Sequence, residues 1–327
     1  MKRMAGWMVL GACWVCLGCS GGAESAQQTA PKAVTPKVNV PEFSGDSALA
    51  RAAHQVAFGP RTLRSTGHQR CGDYLVATLK GYGLAVTEQK ATPTTVLGKL
   101  PIRNILAQYK PERKRRILLM AHWDTRPEAD QDPDKTKRRL PIDGANDGAS
   151  GVAVLLEIAR LVNAQDPGLG VDFFFWDAED LGQTEVENSF CLGAQHWARN
   201  KVPAGYSAEF GILLDMVGAK DAVFPQETYS KQYAPHVVER VWQTAHRLGY
   251  GALFPLYGNV GTLDDHYYIN TLAQIPSIDV IHRTADQQNF FPHWHTLGDT
   301  LNKLSAETLK AVGQTVTTVV YEVGAEG

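Results

Sequence analysis

Carboxylates and histidines recur at the ends of short apolar segments in this sequence of 327 residues. In chain order these residues are His122, Asp124, Asp177, Glu179, Asp180, Asp215, His293 and His295. Asp147 lies between the first two segments, in the glycine-rich stretch “DGANDGASG”. Imidazole nitrogens and carboxylate oxygens are ligands that zinc takes in catalytic sites, where three protein ligands leave one position open. The residue types therefore indicate a zinc site, if the chain brings them together.

Several of these residues also have an ordinary structural explanation. Asp147 precedes a predicted helix and suits a helix cap, and a single histidine is most often a satisfied polar group. Glu179 and Asp180 suit a solvated loop. Asp215 is harder to explain, because a carboxylate that ends an apolar run is costly to bury without a partner or a metal. Separate accidents explain poorly why such residues occur at four strand ends, so we favour the zinc site.

The segments before these residues have the composition of buried strands. Six short runs are rich in β-branched, aromatic and aliphatic residues, and six segments with a helical pattern precede, separate or follow them. The runs are “LAVTEQKA”, “IRNILAQY”, “RILLMAHWD”, “VDFFFWDAE”, “AEFGILLDMVG” and “IPSIDVI”. This order predicts a single α/β domain over residues 43–325, with a mostly parallel central sheet flanked by helices. Ligand sites of such sheets lie beyond the carboxyl ends of the strands, so we expect the acidic residues and histidines to converge there.

The first 42 residues are predicted to lie outside that domain. Lys2 and Arg3 precede a short apolar stretch that ends in “LGCS”, so residues 1–19 resemble a bacterial lipoprotein signal with Cys19 as the lipidated residue. A plain secretory signal with an incidental cysteine is the alternative. Residues 20–42 have the composition of a flexible tether. We therefore expect an exported lipoprotein of the bacterial cell envelope, facing the periplasm or in the outer membrane, with a lipid anchor in the membrane.

Charge and cysteine content narrow the remaining choices. The net charge is -2 and the one visible basic cluster, residues 135–139, adjoins acidic residues, so nucleic acid is not an expected partner. The surrounding segment 126–141 is long for an unstructured loop and adjoins the predicted site, so covering that site is one role for it. Cys71 and Cys191 remain in the predicted domain, where a disulfide and two free buried thiols are both open.

The order of the motifs resembles the M28-type zinc aminopeptidases and, within that superfamily, the animal-type glutaminyl cyclases, which also occur in bacterial envelopes. The resemblance runs from Ser44 to Val323 and is carried by “AHWDTR”, “GANDGASGVAVLLEIARL”, “FFFWDAED”, “LLDMVGA”, “DDH” and “WHT”. The last three are the motifs specific to the cyclases, whereas the His-x-Asp motif and the acidic pair are shared with the peptidases.

The resemblance implies that one zinc ion is held by Asp147, Asp180 and His295. His293 is not expected to be a ligand, because only His295 follows tryptophan in the “WH” motif of the family. Two positions depart from the animal members. Asp180 stands where they have glutamate, which is one methylene longer, and Ala121 stands where they have a cysteine of an active-site disulfide.

Other residues take implied roles around that zinc. Glu179 becomes the general acid/base, and Asp215 with Asp264 becomes a hydrogen-bonded acidic pair. The substrate pocket is walled by Trp294 together with Phe290 or Phe291. Two further residues, His122 and Asp124, are left to hold a second metal or to support the ligands.

The implied activity converts the N-terminal glutamine of peptides or proteins into pyroglutamate with release of ammonia. Zinc polarises the side-chain amide for attack by the α-amine, and Glu179 moves the proton. Two alternatives stay open. The same side chains, with His122 and Asp215 as further ligands, suit a two-zinc aminopeptidase. A lipoprotein that captures peptides without catalysis is less consistent with an acid/base residue beside the metal.

Overall fold

The computed structural model describes residues 38–326, in which six strands form one twisted sheet. The strands of the chain are β1 (Ala85–Ala91), β2 (Thr94–Thr95), β3 (Gly98–Lys99), β4 (Ile102–Tyr109), β5 (Arg116–His122), β6 (Gly170–Trp176), β7 (Gly211–Asp215) and β8 (Ser277–Ile281). The sheet order is β1-β4-β6-β5-β7-β8, while β2 and β3 form a separate hairpin. The pairings β6–β5, β5–β7 and β7–β8 are parallel, and the two that involve β4 are antiparallel. The predicted α/β fold with a mostly parallel sheet is confirmed.

Eight α-helices accompany the sheet within residues 38–326. They are α1 (Gly45–Val56), α2 (Thr66–Gly81), α3 (Ala149–Ala164), α4 (Leu192–Arg199), α5 (Thr228–Tyr233), α6 (Pro235–Arg247), α7 (Asp265–Tyr268) and α8 (Ala306–Ala325). A π-helical turn (Ile269–Ala273) follows α7, and a 3-10 turn (Leu301–Lys303) precedes α8. The sequence pattern predicts the six longer helices. It misses α5 and α7, because four to six residues are too few to show a helical period.

The central strands are apolar along their whole length because both faces of the sheet are covered. Side chains of successive strand residues point to opposite faces. Leu119 and Phe173 therefore belong to the large core beneath α3 and α8, while Met120 and Phe174 belong to a smaller core that includes Trp197 of α4. This packing fixes the register of β5 and β6, and with it the positions of the residues that follow them.

The parallel strands bring their carboxyl ends to one edge of the sheet. His122 is the last residue of β5 and pairs in register with Trp176 at the end of β6. Asp215 ends β7 and pairs with Ile281 at the end of β8. The polar residues that terminate or follow these four strands are thus neighbours, as the sequence analysis expects.

The remaining sequence predictions have mixed outcomes. Residues 1–37, which include the predicted lipoprotein signal and most of the tether, lie outside the described residues. Residues 38–42, the predicted end of the tether, already contact the domain, since Val38 and Val40 pack against the main core. Cys71 and Cys191 are both free buried thiols. Among the described helices, none combines the length and apolarity needed to cross a membrane.

Candidate metal centre and active site

Three side chains from distant segments converge at the carboxyl edge of the sheet. Asp147 comes from the turn before α3, Asp180 from the turn after β6, and His295 from the loop after β8. His295 Nε2 lies 3.0 Å from Asp180 Oδ1 and 3.8 Å from Asp147 Oδ2. One ligand atom from each residue lies within 4.8 Å of the other two, and all three residues are buried. We call this set the first cluster; it contains the three residues that the resemblance implies as zinc ligands.

The first cluster has the properties of a cation site. Asp180 Oδ2 is buried without a hydrogen-bond partner among the described residues, which is costly for a carboxylate oxygen that meets no cation. Burial would lower the pKa of His295, but Asp180, Asp130 and Asp147 raise it to about 9. The negative field is therefore strong at this point. Two carboxylates and an imidazole are also a donor set that zinc accepts, so the residues fit the ion.

A second cluster adjoins the first and shares Asp147. His122 Nε2 lies 3.0 Å from Asp147 Oδ1 and 3.2 Å from Asp215 Oδ1. Asp147 therefore directs one carboxylate oxygen toward each histidine. Burial would lower the pKa of His122, but Asp124, Asp147 and Asp215 raise it well above its usual value. Among the described residues, these are the two groups that combine histidine and aspartate around Asp147.

Asp124, which the sequence analysis left for a second metal or for support of the ligands, supports the turn after β6. Its two carboxylate oxygens accept hydrogen bonds from the backbone N–H groups of Glu179, at 3.1 Å, and Asp180, at 3.2 Å. Asp177, the first residue after β6, instead contacts His68, with its Oδ1 2.9 Å from His68 Nε2. Asp180 and not Asp177 therefore reaches the first cluster.

The position of Asp147 depends on Asp299, a residue that the sequence analysis does not identify. Asp299 accepts hydrogen bonds from the backbone N–H groups of Asn146, at 2.9 Å, and Asp147, at 3.1 Å. Burial, followed by the charge of Asp147, raises the pKa of Asp299 to about 7. The next residue, Gly148, has no room for a side chain, because an added Cβ would lie 2.6 Å from the imidazole of His122.

Glu179 groups with Cys191 and Asp264, although the next residue, Asp180, belongs to the first cluster. Burial raises the pKa of Glu179 well above its usual value; the nearby Asp180 and Asp264 add to this effect, against His122. Its Oε1 accepts a hydrogen bond from the thiol of Cys191 at 3.4 Å. A carboxyl group with a raised pKa beside a candidate metal site is suited to general acid/base chemistry near neutral pH.

The hydrogen bond between Asp215 and Asp264 stays a prediction, because both side chains have other partners in this structure. Asp215 is held by His122, as described above, while Asp264 caps α7 by accepting the N–H of Asp265. The two carboxylates still interact electrostatically. Burial, followed by the charge of Asp215, raises the pKa of Asp264 to about 7. Asp264 Oδ2 has no hydrogen-bond partner among the described residues, and an oxygen of this carboxylate lies within 4.8 Å of one of Glu179.

A cavity of about 520 Å³ opens onto these residues. Glu179, Asp180, Asp215, Asp264 and His295 line it, and no lysine or arginine of the described chain does. Phe290 and Trp294 form an aromatic wall, with ring centroids 4.7 Å apart, and Trp294 stacks on His295 at 3.7 Å.

Two residues near this wall lie outside the cavity. Phe291 is buried in the main core, so Phe290 and not Phe291 is the second wall residue. His293 lines a different cavity and belongs to neither cluster. The segment 126–141 does not cover the site, since none of its residues lines the cavity that contains the first cluster.

An α/β sheet whose carboxyl edge carries two acid–histidine clusters around a shared aspartate defines the class of zinc exopeptidase-like proteins. Residues 104–320 match the model of Peptidase family M28, and the chain belongs to this family.

The chain is similar to solved structures described as glutaminyl cyclases and to others described as peptidases. The glutaminyl cyclase of Bacteroides thetaiotaomicron is 49% identical, with a TM-score of 0.85 over 86% of this chain and 99% of that one. A leucine aminopeptidase precursor of the same organism is also 49% identical, with a TM-score of 0.83 over 87% and 99%. The glutaminyl-peptide cyclotransferase of Drosophila melanogaster is 26% identical over 50% of this chain and 46% of that protein. Matches to the first curated relatives span 46 to 79% of their lengths.

Proposed function

We propose that this protein is a zinc-dependent glutaminyl-peptide cyclotransferase, which converts the N-terminal glutamine of peptides or proteins into pyroglutamate and releases ammonia. The observation that carries the proposal is the proximity of Glu179 to Asp264 in a cavity that is also lined by the first cluster and the aromatic wall. This arrangement supplies a proton carrier, an acceptor for an amine, and an apolar surface around one reacting group. The similarity to bacterial and animal glutaminyl cyclases supports it.

Asp147, Asp180 and His295 would hold the zinc. When bound there, the ion supplies Lewis-acid polarisation of the side-chain amide of the glutamine. Asp180 is one methylene shorter than the glutamate of the animal enzymes, but its Oδ1 already lies 3.0 Å from His295 Nε2. The short side chain therefore reaches the other ligands.

Glu179 carries the proton during cyclisation. The nitrogen of the neutral α-amine forms a bond to the side-chain amide carbon, and Glu179 accepts the proton that this nitrogen loses. Glu179 then returns the proton to the amide nitrogen as the carbon–nitrogen bond breaks and ammonia leaves. A positioned acid/base of this kind contributes roughly 10²- to 10⁴-fold to the rate.

Asp264 holds the amine in position for this attack. Its buried Oδ2 lacks a hydrogen-bond partner among the described residues, so it can accept a hydrogen bond from the substrate α-amine. Asp215, in contact with His122 at 3.2 Å, is a second carboxylate beside it. The amine is thus held between these carboxylates and Glu179.

The aromatic wall keeps water from the reacting carbon. Phe290 and Trp294 face the cavity, and Trp294 covers the imidazole of His295. Packing of the glutamine methylenes against these rings excludes a water molecule that would hydrolyse the amide instead of allowing it to cyclise.

A two-zinc aminopeptidase is the second candidate function. The second cluster, His122 with Asp147 and Asp215, favours it, because a second ion held there would place two metals on either side of Asp147. The similarity to a leucine aminopeptidase precursor also favours it. For the cyclotransferase we propose one ion, in the first cluster.

Metal analysis and two assays on the purified full-length protein distinguish these functions. We expect about one zinc per chain, ammonia and a pyroglutamyl product from a peptide with N-terminal glutamine, and no cleavage of leucine amide. Two zinc ions per chain with hydrolysis of leucine amide would instead identify an aminopeptidase. Bound zinc without either reaction would leave a peptide-binding lipoprotein.

We also infer that the protein is an exported lipoprotein of the bacterial cell envelope, lipidated at Cys19 and joined to its domain by the tether. This rests on the sequence of the first 42 residues. In cells that express the Cys19→Ala variant, the protein should leave the membrane fraction while its specific activity stays unchanged. Membrane fractionation identical to that of the wild type would reject the anchor.

A further inference from the structure

The segment 126–132, part of the stretch considered above as a cover for the site, forms hydrogen bonds with the backbone of two residues of the first cluster. Gln131 donates its backbone N–H to the carbonyl oxygen of His295 at 3.1 Å. Arg126 donates from Nη1 to the carbonyl oxygens of Asp180, at 3.0 Å, and Gly182, at 2.7 Å. Two proposed zinc ligands, on loops from different strands, are therefore attached to one short segment.

Asp130 lies at the centre of these contacts. Its Oδ1 is 3.2 Å from His295 Nδ1, and its Oδ2 accepts a hydrogen bond from Arg126 Nη2 at 2.7 Å. His295 Nδ1 and Asp130 Oδ1 are both buried, and neither has a hydrogen-bond partner within the described part of the chain, so each is available to the other. Arg126 therefore fixes one oxygen of the carboxylate and leaves the other facing the imidazole.

The chemistry of a metal-bound imidazole gives this contact a role. When Nε2 of a histidine binds a metal, Nδ1 carries the proton and needs an acceptor. A carboxylate in that place fixes the tautomer and the ring orientation, and it makes Nε2 more basic. Nε2 of His295 faces Asp147 and Asp180, so Nδ1 and Asp130 lie on the side away from the cluster.

We propose that Asp130 is a positioning residue for the zinc site, which orients His295 and strengthens its bond to the ion, with Arg126 as the residue that holds Asp130 in place. The inference rests on the zinc ion of the proposed function, but not on which reaction that ion serves. It also assigns a role to the segment 126–132, which positions ligands instead of covering the cavity.

The test measures the zinc dissociation constant of the full-length protein by competition with a chelator. Removal of a carboxylate behind a metal-bound histidine typically weakens metal binding by 10- to 100-fold, so we expect a loss of about that size in Asp130→Ala. Asp130→Asn keeps an oxygen acceptor without the charge and should lose less. Asp134→Ala is the matched control, because it removes an aspartate of the same loop whose contacts are local, to Thr136 and Lys137.

Thermal unfolding of the metal-free proteins separates positioning from a purely structural role. If Asp130 merely holds the loop through Arg126, Asp130→Ala would unfold earlier but would bind zinc as tightly as Asp134→Ala, and the proposal would be overturned. If Asp130→Ala does not fold, Asp130→Asn decides, since wild-type zinc affinity in that variant would equally overturn it. A wild-type protein that binds no zinc would refute the proposed function itself, which is a different outcome.

Discussion

His295 and His122 both face Asp147 with Nε2, yet the carboxylates behind their Nδ1 atoms differ. Asp130 Oδ1 lies 3.2 Å from Nδ1 of His295 and has no other partner among the described residues. Asp124 Oδ1 lies 3.8 Å from Nδ1 of His122 and already accepts a backbone N–H, that of Glu179. A carboxylate near a histidine can therefore serve either the imidazole or the neighbouring backbone. Asp130 lies closer to its imidazole, whereas Asp124 is hydrogen-bonded to the backbone after β6.

The two clusters also differ in how the fold presents them. His122 and Asp215 end the neighbouring strands β5 and β7, so the sheet itself fixes that cluster. Asp180 and His295 lie on loops, which lack a strand ladder and need separate supports. Arg126, Asp130 and the N–H of Gln131 supply them. The first cluster also contains a buried oxygen of Asp180 that has no hydrogen-bond partner among the described residues. A bound cation would therefore stabilise the first cluster more than the second.

The largest expected effect follows from removing one histidine at a time. His295→Ala should lose both zinc and activity, because a catalytic zinc with three protein ligands tolerates the loss of one poorly. Asp147→Ala should do the same. His122→Ala should retain about one zinc per chain if the first cluster holds the ion. Metal content and turnover of the purified variants check this comparison.

His293→Ala provides the control, since it removes an imidazole two residues from His295 that belongs to neither cluster. We expect it to bind zinc normally. Zinc loss in His122→Ala together with zinc retention in His295→Ala would reverse the assignment of the two clusters.

A second prediction separates metal binding from catalysis at two consecutive residues, Glu179 and Asp180, in the turn after β6. Glu179→Gln should keep its zinc and lower the cyclisation rate by roughly 10²- to 10⁴-fold. Glutamine nearly matches glutamate in shape, so Asp180 stays in place, but the amide cannot carry a proton. Steady-state rates on a glutaminyl peptide are compared with metal content. Near-normal turnover would exclude Glu179 as the acid/base, and loss of zinc would mean that base and ligand are exchanged in “DAED”.

The smallest expected effect concerns Asp124. Asp124→Ala removes the acceptor of two backbone N–H groups, one buried and one partly buried, so the free energy of unfolding should fall by about 3 kcal/mol. Asp124→Asn, which keeps one oxygen, should lose less. Chemical denaturation of the metal-free proteins measures this. If Asp124→Ala leaves stability unchanged but abolishes zinc binding, Asp124 supports His122 instead of the backbone, and the contrast with Asp130 disappears.

The sequence predicts the strands and the residues at their ends well where hydrophobic burial controls the structure. The strands β5 to β8 are visible because both faces of the sheet are covered there, which makes runs such as “FFFW” almost continuously apolar. The carboxyl ends of those runs then indicate where Asp180, Asp215 and His295 meet. The assignment of His295 over His293 depended on the family motif, because burial patterns do not distinguish two histidines in an irregular loop.

The features that sequence reasoning missed depend on tertiary hydrogen bonds between distant segments. Asp299 supports Asp147 across 152 residues of chain. Asp130 reaches His295 from a loop with the composition of a solvated turn, and no local period marks either residue. The contact of His122 with Asp215 likewise follows from the sheet register and not from any motif, while the pairing of Asp215 with Asp264 stays a prediction.

The two free thiols have a practical consequence for the preparation of this protein. Cys71 and Cys191 are fully buried, and burial raises the pKa of both, so neither is poised to react with oxidants or alkylating reagents. Residues 38–326 contain no disulfide that would have to form during folding. Production in the reducing cytoplasm of a laboratory host, without an oxidative refolding step, should therefore yield the same fold.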